Sequence, residues 1–310
     1  MKYKNLSSDK KRKVGFIILH YNNFNITKEC IESILNLNEQ DRIKILVVDN
    51  HSPDRSGEKL SNVYLNNEQV DVLLLKNNYG FSKANNIAYN CLTEDKEYEF
   101  IVVSNNDIIF TQKNFISLLE QVYNDREFYV GGPDIYAVYK KEHQSPLALA
   151  PRTEEEIKVW ISENQKKLRY VRVESILRKI WLKVNETRLY HLYCKMKKEV
   201  LKDERNWKEH QDNIVLSGAC LFFSEKFIGL NIKPFEPETN FYHEEDILTA
   251  KCLRNRWKIS YIPEIQIKHL EGISTNEKKY YDKMKFRYTN FIDSGRIYLD
   301  YISKGKENGE

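Results

Sequence analysis

Two apolar runs in this chain each end in an acid. Phe100-Ile101-Val102-Val103-Ser104 runs into Asn105-Asn106-Asp107, and Ile45-Leu46-Val47-Val48 runs into Asp49-Asn50. A short apolar, β-branched run reads as a buried strand. Where such strands alternate with helices, their ends lie at the carboxyl edge of a parallel sheet, and open α/β sheets bind ligands there. Two carboxylates at two such ends describe a pocket for a polar, phosphorylated and metal-bound ligand. The plain alternative is that each acid caps the turn after it, as Asp and Asn commonly do.

A third acidic group, Glu244-Glu245-Asp246, opens an apolar helical pattern at Ile247. Adjacent acids repel one another and raise at least one pKa, which favours a proton acceptor near neutrality. Acids at a helix start are also expected from the helix dipole alone, with no chemistry implied. No G-x-x-x-x-G-K-S/T phosphate loop occurs anywhere in the chain.

The elements that must position these acids follow from periodicity. Strands are expected over residues 14–19, 43–48, 70–75 and 100–104. Helices are expected over 27–37 after an Asn25 cap, over 82–92 capped by Ser82, and over 113–123. This alternation implies βαβ units and an α/β fold with a mostly parallel central sheet flanked by helices. The regular alternation stops after Gly131-Gly132-Pro133. Residues 154–202 hold neither Gly nor Pro and read as a largely helical insert at about 150–205. A patterned block resumes at Ile214, an apolar pair stands at Tyr261-Ile262, and a helical, aromatic region runs from 277 to 302. The expected division is a disordered basic tail over 1–12, a catalytic domain over 13–275 carrying the insert, and a helical extension over 276–310.

The 310 residues are 41% hydrophobic, with 49 basic and 45 acidic side chains and a net charge of +4. That balance gives no argument for nucleic acid as a partner. The five cysteines form no C-x-x-C pair and are odd in number, which fits a reducing cytoplasm better than a disulfide framework or a zinc site. Residues 14–19 are too few for the core of a signal peptide, and no run approaches a membrane span.

The order of Leu19-His20-Tyr21-Asn22, Val47-Val48-Asp49-Asn50, Asn78-Tyr79-Gly80-Phe81 with Ala84-Asn85-Asn86, Ser104-Asn105-Asn106-Asp107, Ser217-Gly218-Ala219, Glu244-Glu245-Asp246 and His269 with Gly272 and Ser274 resembles the family 2 glycosyltransferases. These are inverting enzymes of the Rossmann-like GT-A fold. Bacterial surface-polysaccharide rhamnosyl- and galactosyltransferases look most similar. The resemblance covers about residues 14–275, with 140–213 poorly matched.

It implies a UDP- or dTDP-sugar donor, a glycan or lipid-linked acceptor, and Mg²⁺ or Mn²⁺ as cofactor. Asp49 takes the base-reading role, with His20 and Tyr21 beside it. A carboxylate only accepts hydrogen bonds, so it suits N3–H of uracil or thymine and opposes cytosine. Asn78, the turn at Gly80, the amides of the following helix start, Asn85 and Asn106 fall on the donor side, although an ordinary turn and cap would look the same at Gly80. Asp107 fills the last position of the family's D-x-D metal motif, with Asn105 where its first acid usually stands. His269 adds a metal ligand or a diphosphate contact, or is a surface histidine. Asp246 aligns with the base that deprotonates the acceptor, beside Glu245. The acid usual two residues on is here Leu248. Gly218 and Ala219 resemble the segment that leaves room for acceptor sugar; tight strand packing is the other reading.

Two other functions compete. A sugar-phosphate nucleotidylyltransferase has a similar sheet but needs a Gly-rich basic loop after its first strand, where this chain has His20-Tyr21-Asn22-Asn23. A catalytically silent nucleotide-sugar binding module is the reading that Asn105 and Leu248 allow. Within the insert, residues 158–202 hold thirteen Lys/Arg against four acids. Val173, Leu177, Ile180 and Val184 recur at helical spacing there. A basic helix with such a stripe suits an anionic membrane surface, which would place the protein peripherally at the inner face of the plasma membrane. The competing expectation is that the stripe folds against the catalytic core.

Overall fold

The structure is a computed structural model that describes residues 12–94, 98–184, 206–270 and 280–307. Its frame is one sheet in the order β3-β2-β1-β4-β9-β6-β10-β5. The first half is β3 (Val70–Leu74), β2 (Ile43–Asp49), β1 (Lys13–His20) and β4 (Tyr98–Asn105), paired in parallel. β9 (Cys220–Ser224) enters antiparallel beside β4 and joins it to β6 (Val130–Ala137) and β10 (Ile259–His269), which again run with β4. The short β5 (Ile108–Phe110) pairs antiparallel with β10, β7 (Glu142–His143) with β6, and β8 (Gln211–Asp212) with β10. The expected mostly parallel α/β sheet is the one observed.

The central strands are buried on both faces, which is why they read as continuous apolar runs rather than as alternating ones. Their side chains nonetheless divide with period two. Phe16, Ile18, Val47, Phe100 and Val102 face a core built with α1 (Phe24–Leu35) and α4 (Phe115–Arg126). Ile17, Leu46, Val48, Ile101 and Val103 face the other core, with α3 (Gly80–Thr93) and Leu248. Phe110 meets Phe16 edge-on at 5.5 Å and Phe115 at 5.2 Å, which anchors the short β5 just after the Asn105-Asn106-Asp107 turn.

A third cluster joins the insert to the rest. Ile157 and Ile161 of α5 (Glu154–Val184) pack with Ile247 of α7 (Glu244–Arg254) and with Ile292 and Tyr298 of α8 (Tyr280–Glu307). The two remaining helices, α2 (Ser56–Val63) and α6 (Glu225–Ile228), are short. The inward side of α5 carries Ile157, Ile161, Asn164, Val171 and Ser175. Val173, the member of the expected stripe whose side chain is described, points outward and is 53% exposed, alongside exposed Val159, Tyr170 and Ile176. At Val173, its described member, the stripe that the spacing singled out faces away from the packed side of the helix.

Helix starts differ from expectation in three places. α1 begins at Phe24, because Asn22 and Asn23 both take left-handed φ of 61° and turn the chain earlier than Asn25. α3 begins at Gly80, and Ser82 lies inside it with its hydroxyl on Thr239 at 3.0 Å. α7 begins at Glu244, so the three acids are its first turn. Residues 1–11, the insert beyond 184 up to 205, and the Gly272 and Ser274 positions lie outside the described residues.

Candidate active site

Parallel pairing puts His20 opposite Asp49 and Leu19 opposite Asn105, so three strand ends stop together. Asp49 is buried, and its Oδ1 accepts from the Ser52 hydroxyl and from the Ser52 amide at 3.2 Å. Tyr21 is 37% exposed beside it. Asn50, which the motif reading passed over, clips the next segment in place. Its Nδ2 donates to Asn78 Oδ1 and to the Gly80 carbonyl, both at 3.1 Å, and its Oδ1 accepts from the Tyr79 amide at 2.8 Å.

Gly80 holds φ +75°, and a Cβ there would come within 2.8 Å of Asn240 backbone. The amides of Phe81 and Ser82 are taken by the carbonyls of Asn240 and Thr239 at 2.7 and 3.4 Å. The start of α3 is therefore used to seat residues 239–240, and its first amides are not free for a donor. Asn85 is fully buried, with Nδ2 on the Phe81 carbonyl at 3.0 Å and Oδ1 without a partner among the described residues. Asn86 holds the Phe235 backbone, donating at 2.9 Å and accepting at 3.1 Å.

His20 is fully buried, with Nδ1 2.6 Å from Thr27 Oγ1 and Nε2 2.8 Å from Ser56 Oγ. It lies beneath the pocket edge rather than on it. Burial holds its pKa down against the opposing pull of Asp49 and Asp54. Asn106 is also buried and donates from Nδ2 to Thr27 Oγ1 at 2.8 Å.

Asp107 and His269 meet where β5 pairs with the end of β10, which sets His269 opposite Ile108. His269 Nε2 is 3.1 Å from Asp107 Oδ1, and Nδ1 is 2.6 Å from Gln144 Oε1. A carbonyl oxygen only accepts, so Nδ1 carries the proton shared with Gln144. Nε2 is the nitrogen that faces the carboxylate, and an imidazole nitrogen and a carboxylate oxygen this close can share a cation. Imidazole and carboxylate suit Mn²⁺ or Mg²⁺, whose remaining positions are ordinarily filled by phosphate oxygens and water. The donor set fits such an ion, although the described residues hold no group of three or more ligands.

Across the sheet edge, the Gly218-Ala219 pair touches both chemistries. Asn105 donates its amide to the Ala219 carbonyl at 2.9 Å, and the Gly218 amide donates to Glu245 Oε1 at 3.3 Å. A Cβ on Gly218 would stand 2.9 Å from Glu245 Oε1. The space that a small residue leaves here is filled by this carboxylate, not left open for an acceptor.

The three acids of α7 sit in different surroundings. Asp246 is buried; Arg152 donates to its Oδ2 from Nη1 at 2.6 Å and to its Oδ1 from the backbone amide at 3.1 Å. His243 Nδ1 adds a third donor at 3.0 Å. Burial works against the ionised form, but His243 and Arg152 outweigh it and hold the Asp246 pKa below its usual value. Glu245 is partly exposed, and desolvation, with Asp246 adding to it, pushes its pKa up to about 7. Glu244 is buried against Glu245, and its pKa is raised well above the ordinary value.

Arg152 is a member of the candidate site that the motifs did not reveal. Its guanidinium lies 4.7 Å over the Trp160 ring, and Tyr298 donates to its carbonyl at 2.6 Å, so α5 and α8 hold it against α7.

Comparison with known proteins bears on the fold and the family. The family model for glycosyl transferase family 2 matches residues 16–191, more than half of the chain. No curated protein matches the sequence. Among solved structures, the fold is similar to that of GalNAc-T7 with UDP, GalNAc and Mn²⁺, at TM-score 0.56 and 12% identity over 91% of this chain and 48% of that one. It is also similar to residues 1–349 of S. aureus TarS, at TM-score 0.51 and 14% identity over 91% and 72%. The complex of that TarS fragment with UDP-GlcNAc gives TM-score 0.52 and 14% identity over 91% and 66%. This chain spans about half the length of the GalNAc-T7 chain. The sheet, its strand-end acids and the sequence match lead to one conclusion: this is a GT-A fold, and the chain belongs to glycosyl transferase family 2.

Proposed function

We propose that the chain is an inverting glycosyltransferase that moves a hexose or deoxyhexose, rhamnosyl or galactosyl, from a UDP or dTDP donor. The acceptor is a hydroxyl of a glycan or lipid-linked glycan in bacterial surface-polysaccharide synthesis. The observation that carries this reading is the Gly218-Ala219 pair, which bonds to Glu245 on one side and to Asn105 of the Asn105-Asn106-Asp107 turn on the other. The proposed proton acceptor and the start of the turn that leads to Asp107 are thereby tied to one dipeptide, which suits displacement of a diphosphate by a hydroxyl.

Glu245 takes the acceptor proton as the hydroxyl oxygen attacks the anomeric carbon. It is the accessible carboxylate of α7, one of its oxygens is oriented by Gly218, and its pKa of about 7 matches a base working near neutrality. Asp246 stays ionised between Arg152 and His243 and keeps the Glu245 pKa raised. A divalent ion held by Asp107 and His269 would supply charge neutralisation for the departing diphosphate. UDP in the GalNAc-T7 structure and UDP-GlcNAc in the TarS structure support a nucleotide-sugar donor.

Turnover of Glu245→Gln and Asp246→Asn tests the base. Glu245→Gln should cut kcat by about 10² or more with donor binding retained, the usual scale for losing a general base. Full activity in Glu245→Gln with loss in Asp246→Asn would move the base to Asp246. For the donor base, UDP and dTDP should raise the melting temperature more than CDP, since Asp49 has no hydrogen to accept at cytosine N3. Equal shifts for the three would remove Asp49 from base reading.

The proposed setting is the cytoplasm, at the inner face of the plasma membrane. No helix among the described residues is long and apolar enough to cross a membrane. The outward side of α5 supports a peripheral contact, because exposed Val159, Tyr170, Val173 and Ile176 share it with exposed Lys166 and Arg169. A second copy of this basic face would repel the first, whereas anionic headgroups complement it.

A further inference from the structure

The base-reading strand end and the cation-binding turn are joined underneath by the buried polar side chains of Asn106, Thr27, His20 and Ser56, a run that ends on exposed Asp54. We infer that Thr27 is a positioning residue whose hydroxyl, held by His20, fixes Asn106 and so sets the Asn105-Asn106-Asp107 turn. The inference rests on the cation role proposed for Asp107 and His269.

The hydrogens can be counted along the run. Asp54 as a carboxylate only accepts, and the Ser56 hydroxyl and amide lie 2.5 and 3.0 Å from its Oδ1. The single hydroxyl proton of Ser56 therefore goes to Asp54, and Ser56 Oγ must accept from His20 Nε2 at 2.8 Å. With its proton on Nε2, the neutral imidazole presents a lone pair at Nδ1, 2.6 Å from Thr27 Oγ1. Thr27 gives its proton there, since its other acceptor, the Asn23 carbonyl, is farther away at 3.4 Å. The Thr27 lone pairs are then free for Asn106 Nδ2 at 2.8 Å.

Every proton in the run is used once, in one direction: from Asn106 to Thr27, to His20, to Ser56, to Asp54. The opposite polarity at Thr27 would need both His20 nitrogens protonated in a fully buried ring. Burial opposes that charge and depresses the His20 pKa.

Asn106 has few alternatives, because the residues on either side of it are committed. Asn105 is held to Ala219, and the Asp107 carbonyl accepts from the Leu270 amide at 2.9 Å. The Asn106 side chain reaches back to α1 at 2.8 Å, shorter than the 3.8 Å contact of the Cys30 thiol with the Asn105 carbonyl, so its bond to Thr27 is the stronger tie that sets how far the turn sits over the sheet edge. Partners bonded directly to a metal ligand typically change metal affinity by about 10- to 100-fold when removed, and Thr27, one residue further out, should act at the lower end of that range.

The test uses Thr27→Val, which keeps the shape and loses the hydroxyl, and Thr27→Ser, which keeps both donor and acceptor. Mn²⁺ alone and UDP alone in EDTA are titrated into each folded protein, and the imidazole nitrogens are followed by NMR. Thr27→Val should weaken Mn²⁺ binding about tenfold and leave metal-free UDP binding within about twofold. Thr27→Ser should restore Mn²⁺ affinity, and wild-type His20 should carry its proton on Nε2. Equal Mn²⁺ affinities in all three proteins, or equal loss of Mn²⁺ and UDP in Thr27→Val, would overturn the positioning role. A proton on Nδ1 of wild-type His20 would overturn the run itself. A wild-type protein that has the Nε2 proton but binds neither Mn²⁺ nor UDP would instead overturn the proposed site.

Discussion

At the scale of residues, the acids proposed to carry the chemistry differ by what surrounds each carboxylate. Asp246 meets Arg152 and His243 and stays charged, whereas for Glu245, one position away, desolvation outweighs its backbone-amide bonds and pushes it toward neutrality. Pairs pushed apart in this way mark acid–base roles. The contact that orients Glu245 makes Gly218 a sensitive position. Gly218→Ala places a methyl 2.9 Å from Glu245 Oε1, so the carboxylate must move. We expect kcat to fall by at least about tenfold while UDP binding, measured calorimetrically, stays within about twofold, on the scale that misplacing a catalytic group costs. Unchanged kcat would mean that Glu245 need not sit on Gly218. Asp49, Asp107, Glu245 and Asp246 were legible in the sequence because strand ends and helix starts are local signals. Arg152 and Thr27 were not, since their partners lie 94 and 79 residues away and only tertiary packing brings them together.

At the scale of elements, the strands were readable because burial on both faces leaves an unbroken apolar run. The helix caps were less so. Ser82 looks like a cap in isolation, but its hydroxyl is claimed by Thr239, 157 residues on. On α5 the difficulty was different, for two apolar stripes recur at three- and four-residue spacing and periodicity cannot say which one packs. Ile157 is fully buried and Val173 is not, which separates the two faces experimentally. Ile157→Ala should destabilise the protein by about 2–4 kcal/mol in urea unfolding, as buried Ile→Ala changes do. Val173→Asp should cost no more than about 0.5–1 kcal/mol but release the protein from anionic vesicles in flotation at low salt. Retention of Val173→Asp on the vesicles, or failure of the wild type to bind them, would exclude this face of α5 as a membrane contact.

At the scale of the whole molecule, the third core cluster makes the described part of the insert, α5, part of the body of the fold. α5 and α8 close over α7 and bring Arg152 to Asp246, so the charge state of the site is linked to global stability. The signs follow from the pKa shifts. Asp246 is lowered in the folded state, so its contribution is present above its unfolded value of 3.8 and is lost as pH falls through its folded value. Glu245 is raised from 4.5 to about 7, so the folded protein binds the extra proton across that interval and loses stability as pH rises through it. Glu244 is shifted in the same direction. The contribution of the cluster should therefore be largest near pH 4–5 and decline toward neutrality. Melting temperatures of the wild type and of Glu245→Gln, taken from pH 4.5 to 8 without ligand, isolate this term. The wild type should lose stability relative to Glu245→Gln as the pH rises, because the uncharged amide has no proton to give up. A constant difference between the two curves would mean that Glu245 titrates alike in the folded and unfolded chain, and that its environment does not prepare it as a base.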